Sequence, residues 1–158
     1  MSDLTKYRYK LEREIDKDGS ITIGFIGVNP STADDFVDDN TVKNWKVFAK
    51  NNNAKKMLVT NVFALRSTDV KNLSSAIDPI GKDNDASLRS MINECDVLVP
   101  CWGSREKLRV KLRSRLDIVM TMLLESGKPI KVLGYTKTND PRHPQGVSHK
   151  TKLITHIS

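Results

Sequence analysis

Apolar positions along the chain fall into short continuous runs separated by longer stretches of helical period. Ile21 to Val28 is the first strong run, and it stops at Asn29-Pro30, a turn dipeptide. Upstream, Tyr7, Tyr9, Leu11 and Arg13 share one parity, and Asp18-Gly19-Ser20 follows, so 7–15 and 21–28 read as a hairpin. Met57 to Phe63, Asp96 to Trp102 and Ile130 to Tyr135 read as three further strands. Between them, Val42, Trp45, Val47, Phe48 and Ala49 predict a helix over 41–50, beginning near Asp39. Ala86, Leu88, Met91 and Ile92 mark the inner face of a helix over 84–95. Leu108, Leu112, Leu116, Val119, Met120 and Leu123 keep helical spacing through a basic stretch, which predicts one long helix over 105–125 capped by Gly127. Val70 to Ile77 reads as a short helical turn, 136–149 as a polar loop and 150–158 as a tail.

Strands alternating with helices predict a mostly parallel sheet covered on both faces. The expected architecture is a three-layer α/β/α fold with a mostly parallel four-stranded central sheet, plus an N-terminal hairpin strand, in a single domain over 1–158. Open sheets of this kind bind ligands beyond the carboxyl ends of their strands. Those ends carry Asn29, Asn61, Trp102 and, past Tyr135, His143, so four polar loops are expected to meet on one rim.

Charge sharpens the picture. With 26 Lys and Arg against 19 Asp and Glu, the formal net charge is +7 and the pI about 9.5, which favours a polyanionic partner. Two cysteines, Cys95 and Cys101, are too few for a disulfide framework or a cysteine-rich metal site and suit a reducing compartment. No apolar run approaches the roughly 20 residues of a membrane span, and Met1 to Lys6 lacks the apolar core of a signal peptide. A cytoplasmic protein with no membrane partner is expected.

Five features could carry chemistry. In Gly27-Val28-Asn29-Pro30-Ser31 a carboxamide stands at a sheet edge in a rigid turn, where it can orient a water or stay a plain turn residue. Asn61 interrupts an apolar strand end, so its amide either bonds neighbouring backbone or presents a donor and acceptor to a ligand such as a base edge. His143 sits between two prolines in Asp140-Pro141-Arg142-His143-Pro144, suited to stabilising negative charge; His149 and His156 have no such local constraint. Asp34, Asp35, Asp38 and Asp39 could bind Mg²⁺, act as acid or base, or simply solvate a loop and cap a helix. Arg105, Arg109 and Arg113 recur every four residues and could meet phosphates, while Arg142 and Lys150 flank the His143 loop. The fingerprints of P-loop enzymes, dinucleotide oxidoreductases, zinc metalloproteases and α/β-hydrolases are all missing.

Taken in order, these motifs resemble the uracil-DNA glycosylase superfamily. Residues 27–31 are similar to the Gly-Ile-Asn-Pro-Gly motif of its mismatch-specific uracil and thymine branch. Leu58 to Arg66 resembles the strand carrying the base-reading Asn, Val97 to Ser104 the apolar strand ending in Trp-Gly, and Arg142 to Ser148 the loop that supplies the catalytic His. The whole chain also resembles a bacterial and phage family catalogued as of unknown function, through Asn29 to Asp34, Asn61 to Asp69, Ile80 to Ala86 and Pro141 to Pro144. The resemblance implies that Asn29 positions the attacking water, Asn61 reads the base edge and His143 stabilises the departing base, with Asp34 a further catalytic candidate. Ser31 and Phe36, or Trp45 in place of Phe36, would line or stack on the base; Arg142, Lys150, Arg66 and Arg105 would contact DNA. The second proline of the His loop is replaced by Gln145-Gly146, a departure that bears on whether uracil is the base.

The expected activity is therefore that of a monofunctional DNA glycosylase excising a modified or damaged pyrimidine, with DNA as partner, no cofactor, no metal and no obligatory protein partner. A phage-type hypermodified pyrimidine, removed as anti-phage defence, is one form of that expectation. The alternatives are a non-catalytic nucleotide or nucleic-acid binding module and a Mg²⁺-dependent nucleotide hydrolase using Asp34 and Asp38.

Overall fold

The computed structural model describes residues 6–31, 33 and 37–157. Its elements are β1 (Leu11–Glu14), β2 (Ile21–Gly27), α1 (Asn40–Asn51), β3 (Ala54–Asn61), α2 (Asn84–Glu94), β4 (Val97–Pro100), α3 (Ser114–Glu125), β5 (Lys131–Val132) and β6 (Ile154–Thr155). A 3-10 helix (Val70–Ser75) follows β3, and two 3-10 turns (Arg105–Lys107 and Val110–Leu112) precede α3.

The central sheet has four strands in the order β1-β3-β2-β4. β2 pairs in parallel with β3 on one side and β4 on the other. The period-two pattern assigns the two faces. Ile23, Phe25, Met57, Val59 and Val99 pack under α1, against Val42, Trp45, Phe48 and Ala49. Ile26, Leu58 and Leu98 face α2 and α3, against Leu88, Met91, Leu116, Val119 and Leu123. This is the expected three-layer α/β/α arrangement, with both sheet faces buried.

Four local expectations change. The N-terminal strand does not form a hairpin with β2. β1 pairs antiparallel with β3, Leu11 opposite Val59, and β3 lies between the two. β2 is buried along most of its length, as a central strand is, and both its edges pair in parallel, with β3 and β4. The charged β1, with Leu11 as its one buried residue, suits an edge. The N-terminal strand is thus one of the four, and the segment near Ile130 meets β4 only through a bridge between Leu98 and Ile130, while β5 ladders with β6. Third, the long basic helix is broken: α3 starts at Ser114. The backbone N–H of Arg105 donates to the Asp140 carboxylate at 2.8 Å and its guanidinium to Asp140 and Asp117, which draws this stretch toward the 136–140 loop. Arg105, Arg109 and Arg113 consequently do not share a helix face. Ala86, expected on the inner face of α2, is exposed, and Asn84 is buried instead.

Asp39 caps α1 by accepting from the Val42 N–H at 2.9 Å, one of the readings open for the acidic cluster. The thiols of Cys95 and Cys101 are buried, and burial pushes both pKa values up to about 12. No helix among the described residues is long and apolar enough to cross a membrane.

Two buried polar side chains hold the chain where it leaves β3. Asn84 donates from Nδ2 to the carbonyls of Asn61 and Val62, at 2.9 and 3.0 Å. Arg115 donates from Nε to the same Val62 carbonyl at 3.2 Å while its guanidinium pairs with Asp85 at 2.6 Å. Replacing Asn84 by Ala removes two donors from buried carbonyls. A loss of about 2–3 kcal/mol in urea unfolding is expected, with an unchanged m-value; an effect below about 0.5 kcal/mol would show that the clamp is dispensable.

Candidate functional site

The chain switches direction at the carboxyl end of β2. Its neighbours β3 and β4 lie on opposite sides of it, and α1 and α2, which follow β2 and β3, lie on opposite faces. A crevice opens at such a switch point. Here it is a cleft of about 510 Å³, walled by Val28, Asn29, Trp102, Leu108, Leu116 and His143, with Ser31, Ser67 and Lys107 at its polar edge. Its size falls in the range of small-molecule sites. A second chamber of about 40 Å³ adjoins it and shares Val28, Asn29, Ser31, Thr41 and His143; Gly27, Arg8, Asp39, Trp45 and Asn61 complete its wall. That volume admits about one water-sized polar group.

Asn61 lines this chamber. It is the last residue of β3, in register with Gly27 of β2. Its side chain is 1% exposed, and neither Nδ2 nor Oδ1 has a hydrogen-bond partner among the described residues. A buried carboxamide without partners is costly, by roughly 1–3 kcal/mol per group. Of the two readings open for Asn61, bonding to neighbouring backbone is therefore not the one observed. A methyl group at Gly27 would stand 2.6 Å from Asn61 Oδ1, so only glycine leaves the amide its place. The Trp102 indole N–H, 3% exposed, is likewise unpartnered among the described residues.

Asn29 is fixed in one orientation. Its Nδ2 donates to the Pro30 carbonyl at 3.1 Å and to the Ser67 carbonyl at 2.8 Å. Both amide hydrogens are thus used, and Oδ1 remains as an acceptor. His143 is fixed as well. The Gln145 backbone N–H donates to Nδ1 at 3.1 Å, which places the proton of the neutral ring on Nε2. Burial, followed by the charge of Lys107, depresses its pKa to about 4 against a smaller opposing pull from Asp39. At neutral pH His143 is therefore an uncharged donor. The cleft gathers an oriented acceptor, an oriented neutral donor and a buried amide offering both, a set suited to a planar polar ligand and to charge developing on it.

The remaining sequence candidates divide. Ser31 lines both cavities. Asp34 and Phe36 lie outside the described residues. Trp45 is buried, stacks on Phe25 at 5.7 Å and donates to the Cys101 sulfur, so only its ring edge reaches the chamber. Asp38 is paired with Arg13 and Lys46, whose hydrogen bonds outweigh burial and keep its pKa low. Arg66 donates to the Ala33 and Ser31 carbonyls. Arg105 is bound to two carboxylates, and Arg142 is exposed beside Gly134. Lys150 sits with Asn51 and Asn52 at the far end of α1, away from the cleft. His149 bonds Asn44 and His156 bonds Tyr135. Sequence reading missed Arg8, which donates to the Ala33 carbonyl beside the chamber, and Lys107. The signal for Lys107 was its place three residues past Ser104 on the strand-4 loop, hidden inside an expected helix.

Comparison with known families places the chain in the one described as "Protein of unknown function (DUF1643)", whose model matches residues 8–145. No curated protein and no solved structure matches.

Two consequences can be measured. Replacing Asn29 by Asp sets a carboxylate against the Pro30 and Ser67 carbonyls where two N–H groups stood. The variant should lose about 2 kcal/mol of stability at pH 7, and most of the deficit should vanish as pH falls toward the ordinary Asp value of about 4, because the two carbonyls raise the pKa of the new carboxyl above it. A thermal melt matching the native protein at pH 7 would contradict the assigned orientation. For His143 the folded pKa lies below the ordinary 6.5. The unfolded chain then takes up its proton first, so this contribution is intact above pH 6.5 and is lost as pH falls toward 4, by roughly 3 kcal/mol in all. Urea unfolding of His143→Gln should show a flatter dependence across that window; parallel curves would contradict the buried neutral imidazole.

Proposed function

We propose that the protein is a DNA glycosylase of the uracil-DNA glycosylase type, excising a modified or damaged pyrimidine that has been flipped out of the helix. The observation that carries this reading is the buried, unpartnered amide of Asn61 beside an oriented Asn29 oxygen and a neutral His143. The Asn61 amide is complementary to a base edge that offers a carbonyl and an N–H. The small chamber takes the polar group at that edge, and the ring occupies the larger cleft.

The chemistry follows from the three groups. Asn29 Oδ1 accepts a hydrogen bond from a water and aims its oxygen at the sugar carbon. Being uncharged, Asn29 is a weak base, so cleavage of the carbon–nitrogen bond runs ahead of attack. The base leaves with the bonding electrons, and His143 Nε2–H stabilises the charge that gathers on its carbonyl oxygen. The water oxygen bonds to the sugar carbon, and its proton ends on the departing base or in solvent. The products are free base and an abasic site, with no metal in the scheme. The volume of the cleft and the small Ser31 at its edge leave space for a substituent on the base, which favours a modified over an unsubstituted pyrimidine.

Purified protein with EDTA should be incubated with duplexes carrying uracil, mismatched thymine, and hydroxymethylated or glucosylated cytosine, and with modified phage DNA, and abasic sites counted. Release from one of these is expected, reduced about 10²–10³-fold in Asn29→Ala and in His143→Ala. No release from any, with DNA still bound, would replace the enzyme by a binding module.

A further inference from the structure

The basic run is not a solvated helix face but a strip beside the cleft. Residues 105–113 hold five cations and one carboxylate. Both ends are anchored, Arg105 by Asp140 and Asp117, and Arg113 by a hydrogen bond from Nε to the Leu108 carbonyl at 3.1 Å. Leu108 is buried and forms part of the cleft wall together with Lys107. Between the anchors Lys107, Arg109 and Lys111 are exposed and have no ion-pair partner among the described residues. Val110, flanked by two of these cations, is 75% exposed.

Like charges held on consecutive short turns repel one another, and Glu106 is the one carboxylate among the five cations of this stretch. An apolar side chain exposed in their midst adds nothing to solubility. Both features make sense against a polyanion that carries closely spaced charge and apolar sugar and base surface. Lys107 and Lys111 are no more than about 15 Å apart along the backbone, the reach of several phosphates of a duplex, which presents one charge per about 1.7 Å of axis.

We propose that Lys107, Arg109 and Lys111 form the track that grips nucleic-acid phosphates next to the nucleotide held in the cleft. This rests on the glycosylase reading above and assigns to it a DNA-binding edge separate from Arg142, Arg66 and Arg105. Lys107, at the cleft itself, would hold the phosphate nearest the flipped nucleotide, and Arg109 and Lys111 those further along.

The test is fluorescence anisotropy of a labelled 20-base-pair duplex with the full chain, in EDTA, from 50 to 300 mM NaCl. Base release is read in parallel on whichever modified duplex the native protein cleaves. Arg109→Gln/Lys111→Gln should weaken binding about tenfold at 100 mM salt and lower the slope of log affinity against log salt by about 2. The control, Lys17→Gln/Lys55→Gln, alters exposed lysines at the opposite rim and should leave the slope unchanged. An unchanged affinity and slope in the first variant, or an equal loss in both, overturns the track. If base release by the native protein persists in that case, the glycosylase reading survives without it. A native protein that neither binds the duplex nor releases a base overturns both.

Discussion

At the last rung of the parallel ladder Gly27 faces Asn61, and the absence of one methyl group there makes the site possible. The Asn61 amide is buried with no described partner of its own, an arrangement that tends to relax by turning the side chain toward backbone. Asn84 and Arg115 oppose this from behind by occupying the carbonyls of Asn61 and Val62. Gly27 permits the amide its position in front. The fold thus spends two buried polar side chains, one of them a paired arginine, on holding a third in an unsatisfied state. The amide keeps a donor and an acceptor unused as a result.

Around that amide, orientation is achieved through backbone. Asn29 is turned by two carbonyls and His143 by one N–H, so each presents a single chemical face to the cleft. Backbone groups of a well-packed rim move little, and the two side chains therefore arrive pre-oriented without ordinary ion pairs. The electrostatics agree with this. Burial and the nearby Lys107 keep the imidazole neutral, so His143 offers a donor without carrying a charge of its own, while the charges in the chamber wall are those of Arg8 and Asp39.

A second set of charges stands outside the chamber. Arg105, Asp140 and Asp117 form a fixed group in which the two carboxylates raise the arginine pKa. Burial alone would raise that of Asp140, but the hydrogen bonds from Arg105 and Thr138 hold it low. This group joins the strand-4 loop to the loop before His143, and so sets the distance between the two walls of the cleft. The cations next to it are left exposed.

Much of this was legible in the chain. Alternating apolar runs and helical periods determined the three-layer class, because burial on both sheet faces leaves few other arrangements. The turn chemistry after β2 and the polar residue at the end of β3 marked Asn29 and Asn61 on one rim, because parallel strands bring all their carboxyl ends to the same side. Tertiary structure decided the rest. Strand neighbours depend on which edges compete for β2, so the hairpin gave way to a β1–β3 pair. The helix expected from 105 yielded to a carboxylate more than thirty residues away, Asp140, and this turned a helical stripe of arginines into a strip of turns. The orphaned state of Asn61, the single free face of Asn29 and the neutrality of His143 all depend on groups distant in sequence. Spacing along a chain carries no record of which carbonyl a side chain will meet, and those meetings are what turn a polar rim into a site.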